Sequence, residues 1–64
     1  MDTATAREAM QSKTWVVYES PTFTHVVRVI AIATPVYPGD SVQIRVRAGN
    51  GSTLWVEPED VHPL

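Results

Sequence analysis

The sequence predicts an all-β fold: a small barrel of five strands at residues 14–64, preceded by an N-terminal arm at residues 1–13. The main observation is a series of short runs rich in β-branched and aromatic residues, separated by proline and glycine turns. Residues 41–48 alternate cleanly between apolar and polar side chains. Residues 53–64 indicate a strand, a helical turn begun by Pro58 and a last short strand. A chain of 64 residues has room for one domain.

The N-terminal arm carries a weak helix signal. Thr5 and Glu8 fit a capping box with Thr5 as N-cap, and Ala6, Ala9 and Met10 favour helix. A helix of one or two turns is unstable alone. The arm is therefore either docked on the barrel through its apolar residues or frayed, and the sequence leaves both alternatives open.

Residues 15–18 predict the first strand, with Trp15 in the core. Residues 23–33 predict a long strand whose apolar side chains fall on two faces, with Val27, Val29 and Ala31 on one and Val26, Ile30 and Ile32 on the other. In a small barrel one long strand bends and pairs in both halves, which explains part of this two-sided pattern. We nevertheless expect Val26, Ile30 and Ile32 to form an exposed apolar stripe through which the chain associates with itself. The loop that follows contains Pro38-Gly39, which predicts a type II turn.

The turn Gly49-Asn50-Gly51 decides the register of the next two strands. A two-residue loop would place arginines beside aliphatic residues on the outer face. A three-residue loop with Gly51 left-handed gives inward pairs Val46–Leu54 and Ile44–Val56 and the outward pair Arg45–Trp55. Because a slip of one residue reverses every side chain, we predict the three-residue loop.

Composition limits the classes of function. Five basic and seven acidic residues give a formal charge of −2, which disfavours nucleic acid as a partner. There is no cysteine for a disulfide or a thiolate metal site. No apolar run suits a membrane span, and the first residues lack signal-peptide features, so we expect a cytoplasmic protein. Small domains usually need stabilisation beyond their core, from a disulfide, a metal ion or association with another chain. Without cysteines, we expect this chain to be stabilised by self-association.

No constellation of residues indicates an enzyme, a cofactor or a metal. Glu59 and Asp60 suit the N-terminal end of the helical turn that Pro58 begins. His25 and His62 are isolated, and no nucleophile and base stand at a recognisable spacing. We therefore expect neither catalytic residues nor bound cofactors.

Aromatic residues and arginines are the candidates for contact with a partner. Arg45 opposite Trp55 predicts a cross-strand cation–π contact, and both residue types are common in binding hot spots. Tyr18 and Tyr37 lie near strand ends, where aromatic side chains can line a groove. The candidate partner-binding residues are Tyr18, Tyr37, Arg45 and Trp55. The simpler interpretation is that they decorate the sheet and cap a small core.

The segment Pro38-Gly39-Asp40-Ser41-Val42-Gln43-Ile44, followed by a glycine turn and Leu54-Trp55-Val56-Glu57-Pro58-Glu59-Asp60-Val61, resembles SH3-like barrels. The resemblance covers residues 14–64 and implies the fold, which Tudor-like and translation-factor-like domains share. Residues 41–44 are also similar to a stretch of the type II dihydrofolate reductases. In this sequence the stretch lies one strand earlier than in that family, and Arg45 follows it where the family has tyrosine. We therefore assign none of the family's functional roles to these residues.

The function that these observations favour is a non-catalytic protein-interaction module, a small stand-alone accessory or regulatory protein that self-associates. The alternative is a small barrel that binds nucleic acid through Arg28, Arg45, Arg47 and Trp55. A further alternative is an inhibitor encoded by a phage or another mobile element.

Overall fold

Five antiparallel strands and one α-helix make up the fold in residues 1–37 and 39–64, which a computed structural model describes. In chain order the elements are α1 Thr3–Ser12, β1 Trp15–Glu19, β2 Thr24–Ala33, β3 Gln43–Ala48, β4 Thr53–Val56, a 3-10 turn Pro58–Asp60 and β5 Val61–Pro63. The strands form one sheet in the order β4-β3-β2-β1-β5. The fold is mostly β, as the sequence predicts.

The helix α1 begins earlier than its predicted capping box. Asp2 is the N-cap, and its side-chain oxygen accepts a hydrogen bond from the Thr5 N–H at 2.7 Å. Hydrogen bonds from the side chain and then the backbone of Thr5 lower the pKa of the Asp2 carboxyl. The prediction of Thr5 as N-cap with Glu8 is wrong, because a carboxylate one turn earlier caps the positive end of a longer helix.

α1 docks on the sheet, which is one of the two alternatives left open by the sequence. Ala6 is fully buried, and Met1, Ala9 and Met10 pack against the core. The helix ends at Lys13, which has a left-handed φ of 55° and turns the chain into β1. Within the described ranges, no helix combines the length and apolar character needed to cross a bilayer.

The core lies between α1 and the inner face of the sheet. Its buried side chains are small and mostly β-branched: Ala6, Val16, Val27, Val29, Ile44, Val46, Val56 and Val61. All five strands contribute at least one of them, because successive strand residues alternate between the two faces. The opposite, outer face is left to the remaining side chains.

The long strand β2 changes register halfway along. Residues 24–28 pair with β1, residues 27–33 pair with β3, and the register shifts between Val29 and Ala31. After the shift Ile32 lies opposite Ile44 and packs against the core, whereas Ala31 lies opposite Arg45. The predicted faces of Ala31 and Ile32 are therefore wrong, because one extra residue reverses the alternation.

The β3–β4 hairpin has the predicted three-residue loop. Val46 pairs with Leu54 and Arg45 with Trp55, and Gly51 has a left-handed φ of 92°. The Ala48 N–H donates to the Ser52 carbonyl at 2.8 Å and closes the loop. Leu54 faces inward as predicted from the register, but it remains 37% exposed because β4 lies at the edge of the sheet.

The turn predicted at Pro38-Gly39 includes Pro38, which lies outside the described residues. Gly39 has a φ of 95°, in the region that favours glycine. The Asp40 N–H donates to the Tyr37 carbonyl at 3.3 Å.

Candidate interaction surface

The outer face of the sheet brings tryptophans and arginines from four strands together. One row crosses the sheet, because Trp15 pairs with Arg28, Arg28 with Arg47, and Arg47 with Thr53. Arg45 and Trp55 form a pair in the neighbouring row. Directly opposite residues lie on the same face of a sheet. We call this surface the Arg–Trp face, which consists of Trp15, Arg28, Arg45, Arg47 and Trp55.

Two arginines of the Arg–Trp face lie over tryptophan rings. The guanidinium carbon of Arg28 is 4.5 Å from the Trp15 ring centre, and that of Arg45 is 6.0 Å from the Trp55 ring centre. The prediction of Trp15 in the core is wrong, because its ring is partly exposed on the outer face. Val16 takes the inward position opposite Val27, so the residue before it faces outward.

The arginines of this face repel one another and lack acidic neighbours. Arg28 and Arg47 lie directly opposite each other, an arrangement of like charges that destabilises a sheet. Among the described residues, the one ion pair within 4.0 Å joins His62 and Glu19, and it involves no arginine. Three of the five basic residues thus share one face, although the whole chain is weakly acidic.

A shallow hollow of about 320 Å³ adjoins the row of Trp15, Arg28 and Arg47. The β3–β4 turn forms its other side, through Ala48 and two glycines. A Cβ placed on either glycine would meet no atom within 4 Å, so this wall is low and open. An anionic group can therefore approach both guanidinium groups from solvent.

The predicted anchors do not form a single cluster. Arg45 and Trp55 are in contact, and the 72%-exposed Tyr37 lines a neighbouring hollow with Gln43 and Glu57. Gln43 is the neighbour of Arg45 on the outer side of β3, because alternate residues of a strand share a face. Tyr18 lies near the other end of β1, where its ring meets the Phe23 ring edge-on at 6.3 Å. The structure thus places Tyr18 away from the other three.

The predicted self-association stripe is divided between the two faces. Val26 pairs with Val17 on the outer face and is 48% exposed, and Ile30, at the register shift, is also exposed. Ile32 packs against the core instead. Two of the three residues thus remain available at the surface.

The two histidines and the acidic residues Glu19, Glu59 and Asp60 lie outside this face, whereas Glu57 follows Trp55 by two residues in extended backbone. The His25 ring is 4.7 Å from the Phe23 ring, and His62 Nε2 is 3.9 Å from Glu19 Oε2 at the surface. Glu59 and Asp60 occupy the first turn of the 3-10 segment, as predicted. In the described part of the chain, no group of three or more histidine and acidic side chains is arranged to hold a metal ion.

No protein-family model matches the chain, and no curated protein or solved structure matches it. Function therefore follows from the residues of the surface alone.

Proposed function

We propose that the chain is a non-catalytic interaction module with an SH3-like barrel fold. In this proposal the Arg–Trp face binds an acidic segment of a protein partner, and the chain also associates with itself. Such a molecule acts as a small accessory or regulatory protein. The observation that carries the proposal is the direct opposition of Arg28 and Arg47, neither of which has a carboxylate within 4.0 Å among the described residues.

Three features support the SH3-like barrel. The order β4-β3-β2-β1-β5 joins the first and last strands, and a short 3-10 turn separates β4 from β5. β2 pairs with β1 through residues 24–28 and with β3 through residues 27–33, and its register with β3 shifts at Ile30. Such an irregularity lets one strand bend and serve two halves of a barrel.

The Arg–Trp face suits an anionic ligand with some apolar surface. A carboxylate between Arg28 and Arg47 would replace their repulsion with charge-assisted hydrogen bonds. Trp15 and Trp55 supply rigid contact area on either side, and tryptophan and arginine are the residues most enriched in binding hot spots. The cost of placing two arginines opposite each other is then recovered only in the complex.

An acidic protein segment fits the charges better than nucleic acid does. Nucleic-acid affinity depends on the number of phosphates that basic residues neutralise, and this face offers three arginines on a chain of charge −2. Single-stranded nucleic acid is the second candidate, because Trp15 under Arg28 offers a platform on which a base can stack.

The test is a selection from random peptides displayed on phage, with the wild-type protein and an Arg28→Ala/Arg47→Ala variant as separate baits. We expect peptides rich in Asp and Glu that bind the wild type at least about ten-fold more tightly than the variant, since each charge-assisted hydrogen bond contributes about 1.5–3 kcal/mol. A Lys13→Ala variant, changed at a cation outside the face, is the matched control and should bind as the wild type does.

Two results would contradict the proposal. Selected peptides without an excess of acidic residues, or equal binding to both baits, would remove the Arg–Trp face as the binding surface. A fluorescent oligothymidylate decides the second candidate: binding that falls steeply with salt and depends on Trp15 would favour single-stranded nucleic acid.

A further inference from the structure

The strand β4 exposes main-chain hydrogen-bonding groups at one end of the sheet. In the described part of the chain it pairs with β3 alone. Because Ala48 donates to Ser52 and such bonds occur at every second pair, Val46–Leu54 is hydrogen-bonded and Arg45–Trp55 is not. The N–H and C=O groups of Thr53 and Trp55 therefore point away from β3, toward the open edge.

β4 is a short edge strand, but within it three of the features that protect sheet edges are absent. Natural sheet edges are protected by charged residues, proline or bulges. The four residues of β4, Thr53 to Val56, include none of these, and Leu54 and Trp55 are both exposed. The opposite edge strand β5, in contrast, contains Pro63.

We propose that β4 pairs with β4 of a second copy of this chain, antiparallel and centred on Trp55. The proposal rests on the self-association included in the proposed function and names the edge through which it occurs. In this register Trp55 lies against Trp55 of the second copy on the outer face. Leu54 lies against Val56 of the second copy on the inner face, so side chains of like character meet.

Charge complementarity favours a second copy of the chain as the partner of β4, in the register centred on Trp55. Centring on Trp55 places Glu57 of the second copy opposite Thr53, whose Oγ1 accepts a hydrogen bond from the Arg45 guanidinium at 3.1 Å. Glu57 continues β4 in extended backbone, with φ −77° and ψ 140°, so pairing can reach it. Its carboxylate then lies beside a guanidinium that, in the described part of one copy, has no acidic oxygen within 4.0 Å.

A register centred on Leu54 lacks this match. It would place Glu57 of the second copy opposite Gly51, beyond the strand and away from Arg45. The symmetric arrangement centred on Trp55 forms the Arg45–Glu57 contact twice. It also joins the two Arg–Trp faces into one surface, so that a partner with two acidic segments can bind both copies.

The first test is the mass in solution, by light scattering coupled to gel filtration at several protein concentrations. We expect a species of twice the 7.1 kDa chain mass. Arg45→Glu and Glu57→Arg should each raise the dimer dissociation constant about ten-fold or more, since each reversal places like charges together twice. The Arg45→Glu/Glu57→Arg variant should restore the wild-type value, which a variant that merely misfolds cannot do.

The second test is hydrogen exchange of individual amides in the wild-type protein and in Arg45→Glu. Leu54 and Val56 donate toward β3, so their protection should be similar in both proteins. The outward N–H of Trp55 should be protected in the wild type, and it should exchange at least about ten times faster in Arg45→Glu at the same concentration.

Two results would overturn this inference, and a third would overturn the proposed function while supporting this inference. A wild-type monomer at the highest attainable concentration would do so, and the proposed function would keep its acidic partner if the peptide selection succeeds. A dimer that Val26→Asp dissociates, but that neither charge reversal weakens, would move self-association to the Val26 surface. Failure of the peptide selection with an intact charge-swap rescue would remove the acidic partner and leave the β4 contact standing.

Discussion

The two faces of β3 differ sharply in burial and in the character of their side chains. Ile44 and Val46 point inward and are fully buried, whereas Gln43, Arg45 and Arg47 point outward and are exposed. The inner residues pack against the core, and the outer ones face solvent beside two tryptophans. One six-residue strand thus separates the core from the surface proposed to bind a partner, so we expect substitutions on the two faces to have different effects.

The largest effect is expected on the inner face. Ile44→Ala should lower the free energy of unfolding by about 2–5 kcal/mol, because it leaves a cavity in a small core. Urea denaturation followed by tryptophan fluorescence measures this change. Ile44→Val, which should cost about 0.5–1.5 kcal/mol, keeps the measurement possible if the alanine variant does not fold.

The matched substitution on the outer face is Arg47→Ala. It should change the free energy of unfolding by less than about 0.5 kcal/mol, and in the stabilising direction, because it removes the repulsion with Arg28. A loss comparable to that of Ile44→Ala would contradict the separation of the two faces.

A smaller effect is expected at the turn that sets which residues face inward. Gly51→Ala places a Cβ at a φ of 92° and should lower the free energy of unfolding by about 1–2 kcal/mol. Gly49→Ala is the control, since its φ is not in the left-handed region and its Cβ would meet open space. Equal effects of the two changes, measured by urea denaturation, would argue against Gly51 as the residue that fixes the register.

The last prediction concerns the stacked pair on the outer face. A double-mutant cycle of Trp15→Ala and Arg28→Ala should give a coupling energy of about 0.5–1 kcal/mol, the range for an exposed cation–π contact. The same cycle with Trp55 and Arg45 should give less, because that guanidinium lies 6.0 Å from the ring instead of 4.5 Å. Both coupling energies are measured by urea denaturation. A larger coupling energy for Trp55 and Arg45 than for Trp15 and Arg28 would show that the distance from guanidinium to ring does not determine it.

The parts of the fold that were predicted correctly depend on local patterns. The β3–β4 register followed from the alternation of Ile44 to Arg47 and from a glycine where the chain turns. The 3-10 turn followed from Pro58 with two acidic residues behind it. In both places, neighbouring residues determine the structure without help from the rest of the chain.

The errors arose where one residue changes the phase of a strand. Trp15 is followed by two valines, so the inward side of β1 would be apolar whether Trp15 and Val17 or Val16 faced the core. The pairing of Val16 with Val27 decides between these two arrangements. The register shift at Ile30 carries no glycine or proline signal, so the position of Ile32 could not be foreseen. The opposition of Arg28 and Arg47 depends on how β2 pairs with β3, which alternation along one strand does not reveal.

The sheet order has a consequence for how the chain reaches this structure. β1 to β4 form a meander in which each strand pairs with its neighbour in sequence, and the longest loop between them is residues 34–42. The pairing of Val16 with Pro63 instead joins the two ends of the chain. Closing that long loop costs the most chain entropy for the fewest pairs, so we expect β5 to join last and to limit the folding rate.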